Sequence, residues 1–182
     1  MTGRMLIAGI GNIFLGDDGF GPEVAKRLAA VSLPGWVRVA DYGISGMHLA
    51  YDLAEGYDTA ILVDTVQRGG EPGTLTVIEA APGGGAAPAG QQDPAEGGLA
   101  GTRLFDAHGM QPDVVLGVLD MLGAGSARVL IVGCEPASLD YGMELSEPVA
   151  KAVDAAVAVV MDLIAEADTD GEGASHVPRH TR

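Results

Sequence analysis

MLIAGIGNIFLGDDGFGPEVAKRLAA, residues 5–30, decides how this chain folds. Met5 to Ile10 is a short unbroken apolar run, closed by Gly11 and Asn12, and it reads as a strand buried on both faces. Pro22 suits the first turn of a helix that continues through Val24, Ala25, Leu28 and Ala29. Strand, glycine-rich loop and helix in that order open a βαβ unit and imply a parallel sheet. Arg4 before the apolar run imitates a secretion signal. Gly11 and Asn12 interrupt that run, however, and Asp17 and Asp18 follow with no small-residue cleavage site.

The same alternation continues outward. Trp36 to Ala40 is predicted as a second strand, Met47 to Ala54 as a short helix, and Ala60 to Val63 as a third strand ending on Asp64. Glu71-Pro72-Gly73 marks a turn into Thr74 to Ile78, which alternates and is β-branched, as in a strand with one exposed face. That strand follows the third with no helix between, so it should run antiparallel. Apolar residues return at helical spacing from Val114 to Leu122, and Arg128 to Val132 is a fifth strand. Ser146, with Glu147 behind it, caps a last helix expected to reach about Ala165. These elements predict a three-layer α/β/α sandwich around a five-stranded, mostly parallel sheet with one antiparallel strand. A single domain is expected over residues 1–167. Within it, Ala81 to Gly101 is a flexible loop of Gly, Ala, Pro and Gln, and a disordered polar tail follows over 168–182.

Composition narrows the function. The 182 residues suffice for one continuous core, and the low aromatic content of 4% suits a helix-covered sheet better than a β-sandwich. A net charge of -15 opposes nucleic acid, whose phosphates would be repelled. No uninterrupted apolar run is long enough to span a bilayer, so no membrane role is expected. Cys134 is the only cysteine, which excludes an internal disulfide and fits a reducing cytoplasm.

In open α/β sheets ligands gather beyond the carboxyl ends of the strands, where successive strands leave in opposite directions. Three polar groups fall there: Asp18 after the first strand, Asp64 at the end of the third, and His108 before the Val114 helix. Two carboxylates and an imidazole make a partial shell for Zn, Mn or Ni with open positions for water or substrate. Each also has a plainer reading. Asp18, or Asp17, could simply favour the positive end of the following helix. Asp64 could be a polar strand terminus, and His108 a solvated loop residue. His48 reads as packing or surface, and His176 and His180 as incidental tail residues. Cys134 precedes Glu135, whose charge would raise the thiol pKa, so a buried, inert cysteine is the expected state. A rival reading is a dinucleotide-binding domain, with Gly9-Ile10-Gly11 after a strand and Asp41 at the ribose position. It fails because the third glycine position holds Phe14, and because Asp17 and Asp18 would repel a pyrophosphate.

Residues Gly9 to Gly21 (GIGNIFLGDDGFG) closely resemble the opening motif of the nickel–iron hydrogenase maturation endopeptidases. Three further stretches resemble that family in the same order. They are Leu62-Val63-Asp64 with Glu71-Pro72-Gly73-Thr74, then Ala107-His108-Gly109, then Gly133-Cys134-Glu135-Pro136 with Gly142-Met143-Glu144-Leu145-Ser146. The likeness spans Met5 to Leu163. It implies a phosphorylase/hydrolase-like fold and a cytoplasmic, monomeric endopeptidase acting on the large-subunit precursor, cutting just beyond the last nickel-ligating cysteine motif. It also implies that Asp18, Asp64 and His108 are the metal-contacting and catalytic groups. The nickel would be supplied by the substrate, with Zn, Cd or Mn able to occupy the site in vitro. Asp41 and Gly43 stand where many members carry Asp-Gly-Gly-Thr, a substrate-recognition segment, but here the run is Asp41-Tyr42-Gly43-Ile44. A non-catalytic chaperone of the nickel-loaded subunit is the alternative.

Overall fold

Leu6, Ala8 and Ile10 of the first strand face one way, and Met5 and Ile7 the other, and both sets are fully buried. Such a strand needs cover on both sides, and the architecture supplies it. The computed structural model describes residues 3–80 and 127–173. In chain order they form β1 (Met5–Ile10), α1 (Phe20–Ala29), β2 (Val37–Gly43), α2 (Gly46–Ala54), β3 (Thr59–Thr65), β4 (Leu75–Ala80), β5 (Arg128–Cys134) and α3 (Glu147–Gly173). The five strands make one sheet in the order β2-β1-β3-β5-β4, all parallel except the β4–β5 pair. The expected fold class is what the chain adopts.

Helices α1 and α3 cover one face. Phe20, Val24 and Leu28 of α1, with Val149, Val153, Val160 and Ile164 of α3, pack on Met5, Ile7, Ile61, Val63, Leu130 and Val132. Helix α2 covers the other face, where Leu49 and Leu53 meet Leu6, Ile10, Leu62 and Ile131. The odd–even alternation of the central strands is therefore shared between two apolar layers.

Two element ends and one strand pairing differ from the sequence reading in ways that bear on the site. β2 runs on to Gly43, and its register slips between Gly9 and Ile10, which pair with Asp41 and Gly43. The slip leaves Tyr42 as the extra residue of a bulge. Helix α3 continues to Gly173, past the Asp168 boundary expected from composition, because extending a nucleated helix costs little per residue. β4 is antiparallel as expected, but its partner is β5, which lies between β3 and β4. β5 is apolar almost throughout and needs neighbours and helices on every side, whereas β4 alternates and tolerates the edge. The Ala81 to Gly101 loop, the Val114 helix, His108, His176 and His180 lie outside the described residues. Among the described residues no helix is long and apolar enough to cross a membrane.

Because β2 and β3 leave β1 on opposite sides, the sheet reverses its winding between β1 and β3. The cleft beyond their carboxyl ends is the switch point.

Candidate active site

The loop after β1 is built by glycine contacts. Gly11 has φ +136°, and a Cβ there would lie 1.8 Å from the Asp18 carbonyl oxygen. A Cβ on Gly21 would lie 2.2 Å from the carbonyl oxygens of both Ile10 and Val63. These glycines let the start of α1 touch the backbones of β1 and β3, so they serve packing rather than a phosphate. The Asn12 N–H, which a nucleotide loop would offer to a ligand, donates instead to Asp18 Oδ2 at 2.7 Å. Asn12 Oδ1 in turn accepts from the Phe14 N–H at 3.0 Å, a side-chain turn that fixes the loop.

Asp17 and Asp18 sit together in a short 3-10 turn, Gly16–Gly19, yet do different things. Asp17 is 1% exposed. Its carboxylate accepts from the backbone N–H groups of Ala137, Ser138 and Ser146 and from the Ser146 hydroxyl, at 2.6–3.0 Å. Burial alone would raise its pKa, but the hydrogen bonds outweigh burial and hold it below the usual carboxylate value. Asp17 thus ties the loop after β5 to the loop after β1. Ser146, expected as a helix cap, spends its hydroxyl proton on this carboxylate.

Asp18 points the other way, toward β3. Its Oδ1 accepts from the Thr65 hydroxyl at 3.0 Å, and the Thr65 N–H donates to Asp64 Oδ1 at 2.7 Å. One residue therefore holds both acids across the β1–β3 junction. Asp64 is 4% exposed, and burial pushes its carboxyl well above the usual range, with the nearby Asp18 charge pushing further the same way. The Thr65 hydrogen bonds oppose that rise but do not cancel it. The site thus pairs a hydrogen-bonded carboxylate with a desolvated neighbour that resists a second negative charge. Two converging oxygen donors suit a divalent cation, which would offset both costs. Among the described residues no group of three His, Cys, Asp or Glu could hold a metal, and His108 lies outside them.

Sequence reasoning passed over Thr65. A hydroxyl-bearing, β-branched residue directly after an acid at a strand end was the available signal. Thr65→Val removes the hydroxyl but keeps the shape and the backbone N–H. It is expected to lower turnover roughly tenfold to a hundredfold with little change in melting temperature, and Thr65→Ser to restore most of it. Single-turnover kinetics on folded variants would check this, and an unaffected Thr65→Val would remove the residue from the site.

The end of β2 borders the same cleft. Asp41 Oδ1 accepts from the Gly43 N–H at 2.8 Å, Gly43 has φ +51°, and its carbonyl accepts from the Gly11 N–H at 3.0 Å. His48 is exposed on α2. Cys134 is fully buried on β5, and burial, with Asp17 and Glu135 adding, pushes its thiol up to about 11. It is no nucleophile at neutral pH. Glu135 instead accepts from the N–H groups of Arg68 and Gly69, pinning the connection that carries the chain past β5 to β4.

Comparison with known proteins identifies the family and the fold. The family model described as hydrogenase maturation protease (HycI) matches residues 22–81 and 99–163. A putative hydrogenase maturation protease of Methanocaldococcus jannaschii is 34% identical over 161 residues, covering 86% of this chain and 94% of its own. The hydrogenase expression/formation protein HupD of Rhodobacter capsulatus is 31% identical, over 85% of this chain and 68% of its own. Among solved structures, the hydrogenase 2 maturation peptidase of a Thaumarchaeota archaeon superposes with a TM-score of 0.64 at 31% identity, covering 89% and 98% of the two chains. The Escherichia coli endopeptidase HybD, at 23% identity and a TM-score of 0.67, shares the fold. With most of its length matched by that family model and the acids of its cleft gathered at the switch point, this chain belongs to the hydrogenase maturation protease family.

Proposed function

We propose that the protein removes the C-terminal extension of a nickel–iron hydrogenase large subunit after nickel has been inserted, reading the bound metal as its cue. The observation that carries this is the convergence of Asp18 and Asp64 on Thr65 at the β1–β3 junction, in a chain of this family. In this reading nickel arrives as part of the substrate. Asp18 and Asp64 supply oxygens to its open positions, and His108 supplies a nitrogen. Zn, Cd or Mn would take the same donors in vitro. Burial disfavours the ionised form of Asp64, so an incoming cation is what makes that ionisation favourable. The scissile bond would thereby be brought beside the metal and the two carboxylates that hold it, where its hydrolysis can proceed. Asp41 and Gly43, stitched to the loop after β1, contact the substrate backbone at the edge of the cleft. Cys134, free and buried, fits a reducing cytoplasm.

The deciding experiment incubates purified protein with nickel-loaded and nickel-free large-subunit precursor and reads product masses. A single cut of the nickel-loaded form is expected. Binding without cleavage would replace the protease reading with a chaperone. Asp18→Glu sharpens the test, because a longer arm still reaches a cation. Partial processing is expected from it, whereas Asp18→Ala should lose processing about a hundredfold or more while staying folded. If Asp18 only favoured the helix terminus, Asp18→Ala would cut normally and lose about 1 kcal/mol of stability or less.

A further inference from the structure

Three loops at the carboxyl edge of the sheet are laced together by backbone hydrogen bonds. The Gly11 N–H donates to the Gly43 carbonyl at 3.0 Å, joining the loops after β1 and β2. The Gly16 N–H donates to the Gly142 carbonyl at 2.8 Å, and the Gly142 N–H to the Phe14 carbonyl at 3.0 Å, joining the loops after β1 and β5. Along this seam six large apolar side chains stand in solvent: Ile44 and Met47, then Ile13 and Phe14, then Tyr141 and Met143. Phe14 is 57% exposed, Met143 69% and Tyr141 89%. Exposed apolar residues scattered singly need no explanation, but six on these laced loops and the first turn of α2 form a band.

The charge around the band is one-sided. Residues 9–25, 39–54 and 131–150, which carry it, contain no Lys or Arg at all. They contain exposed Asp41, Asp140 and Glu144, which no cation pairs among the described residues. Cations gather at the opposite edge instead, where Arg4, Arg38 and Arg128 stand at the starts of β1, β2 and β5. Among the described residues, the exceptions at the carboxyl edge are Arg68, beyond β3, and Lys151, which is occupied by Glu147 at 2.6 Å. An apolar strip edged by unpaired carboxylates favours one chemistry: a chain segment with apolar side chains interleaved with Lys or Arg. We infer that this band docks such a cationic, apolar segment of the substrate polypeptide beside Asp18. The inference rests on the processing reading for which polypeptide carries the segment, and on charge and exposure for the segment's chemistry. Met143 and Met47 can repack around varied side chains, while Tyr141 offers a ring face to a cation.

The test has two arms, both on the full-length protein. In the first, steady-state processing of nickel-loaded precursor compares wild type with the doubles Tyr141→Ser/Met143→Ser and Asp140→Lys/Glu144→Lys. KM is expected to rise roughly tenfold in each double with kcat unchanged, and the wild-type KM to rise with salt. In the second, a short capped peptide of Phe, Leu and Lys on a Gly–Ser background is titrated against its Glu-for-Lys counterpart, followed by fluorescence anisotropy. The Lys peptide should bind and be weakened by salt and by the charge-reversed double, and the Glu peptide should not bind. Equal binding of the two peptides, binding of neither, or an unchanged KM in both doubles overturns the inference. Wild-type self-association abolished by Tyr141→Ser/Met143→Ser would give the band to a second copy and overturn it too. If wild type fails to cut the precursor, the processing reading falls, and the peptide arm still decides the band.

Discussion

Asp64→Asn is expected to abolish processing while making the protein more stable. The amide keeps an oxygen to accept the Thr65 N–H at the same place, so the end of β3 need not move. What disappears is a carboxylate that burial and Asp18 both oppose. A carboxyl whose folded pKa lies above its ordinary 3.8 stabilises the fold below that pH, and loses this contribution as pH rises through the folded value. Above the ordinary value, holding this buried acid, whether ionised or still protonated, is therefore a cost that Asn does not carry. The variant's melting temperature should exceed that of wild type by a few degrees near neutrality, and the gain should shrink to nothing in acid. Processing of nickel-loaded precursor should fall about a thousandfold or more, since neither the negative charge nor a titratable proton remains. A folded Asp64→Asn that cleaves at the normal rate would sink the role given to this residue. A variant less stable than wild type at neutral pH would show that burial does not work against it as argued. Gaining stability by losing function is the signature of an acid kept in place for chemistry.

Asp17→Ala, one residue from the other acid, should do the opposite. It strands the N–H groups of Ala137, Ser138 and Ser146 and the hydroxyl of Ser146 where little water reaches. Leaving buried donors unmade next to a deleted charge is expected to cost about 3–5 kcal/mol, a large part of the stability of a domain this size. Denaturant unfolding would measure it, with Asp17→Asn losing less because one acceptor survives. The pH dependence also runs contrary to that of Asp64. Asp17 is held below its ordinary 3.8, so its stabilisation is complete above that value and is lost as pH falls through the folded one. The gap between wild type and Asp17→Ala should therefore be full at neutrality and narrow in strong acid. A loss under about 1 kcal/mol at neutral pH would mean the loop after β5 is held by something else.

The contrast between these two acids marks the limit of one-dimensional reading. In Gly16-Asp17-Asp18-Gly19 the two are equivalent neighbours, and a preference for the helix terminus could have been written for either. Only the 3-10 turn separates them. It sends Asp17 into the packed junction with the loop after β5 and Asp18 across to β3. The same holds for Thr65, whose importance comes from standing between acids 46 residues apart in the chain (64 minus 18), and not from any local pattern. Ser146 stands directly before α3, as its propensity suggested, but that its hydroxyl also donates to the buried Asp17 carboxylate is visible only in the tertiary structure.

What the sequence determined by itself was the layered plan and the end of the sheet to search. Unbroken apolar runs at β1, β3 and β5, helical spacing between strands, and the alternation of β4 each follow from which faces of an element must leave water, a property local to the element. Strand polarity then places every loop after a parallel strand on one edge. The tertiary structure decided the rest: that β5 slips between β3 and β4, that β2 runs on through a bulge to bring Asp41 and Gly43 beside the cleft, and that one acid of a pair faces the site while its neighbour braces it. Those outcomes depend on contacts between residues far apart in the chain. Backbone approach at Gly11 and Gly21, and competition for buried hydrogen-bond donors, are settled only when the layers close.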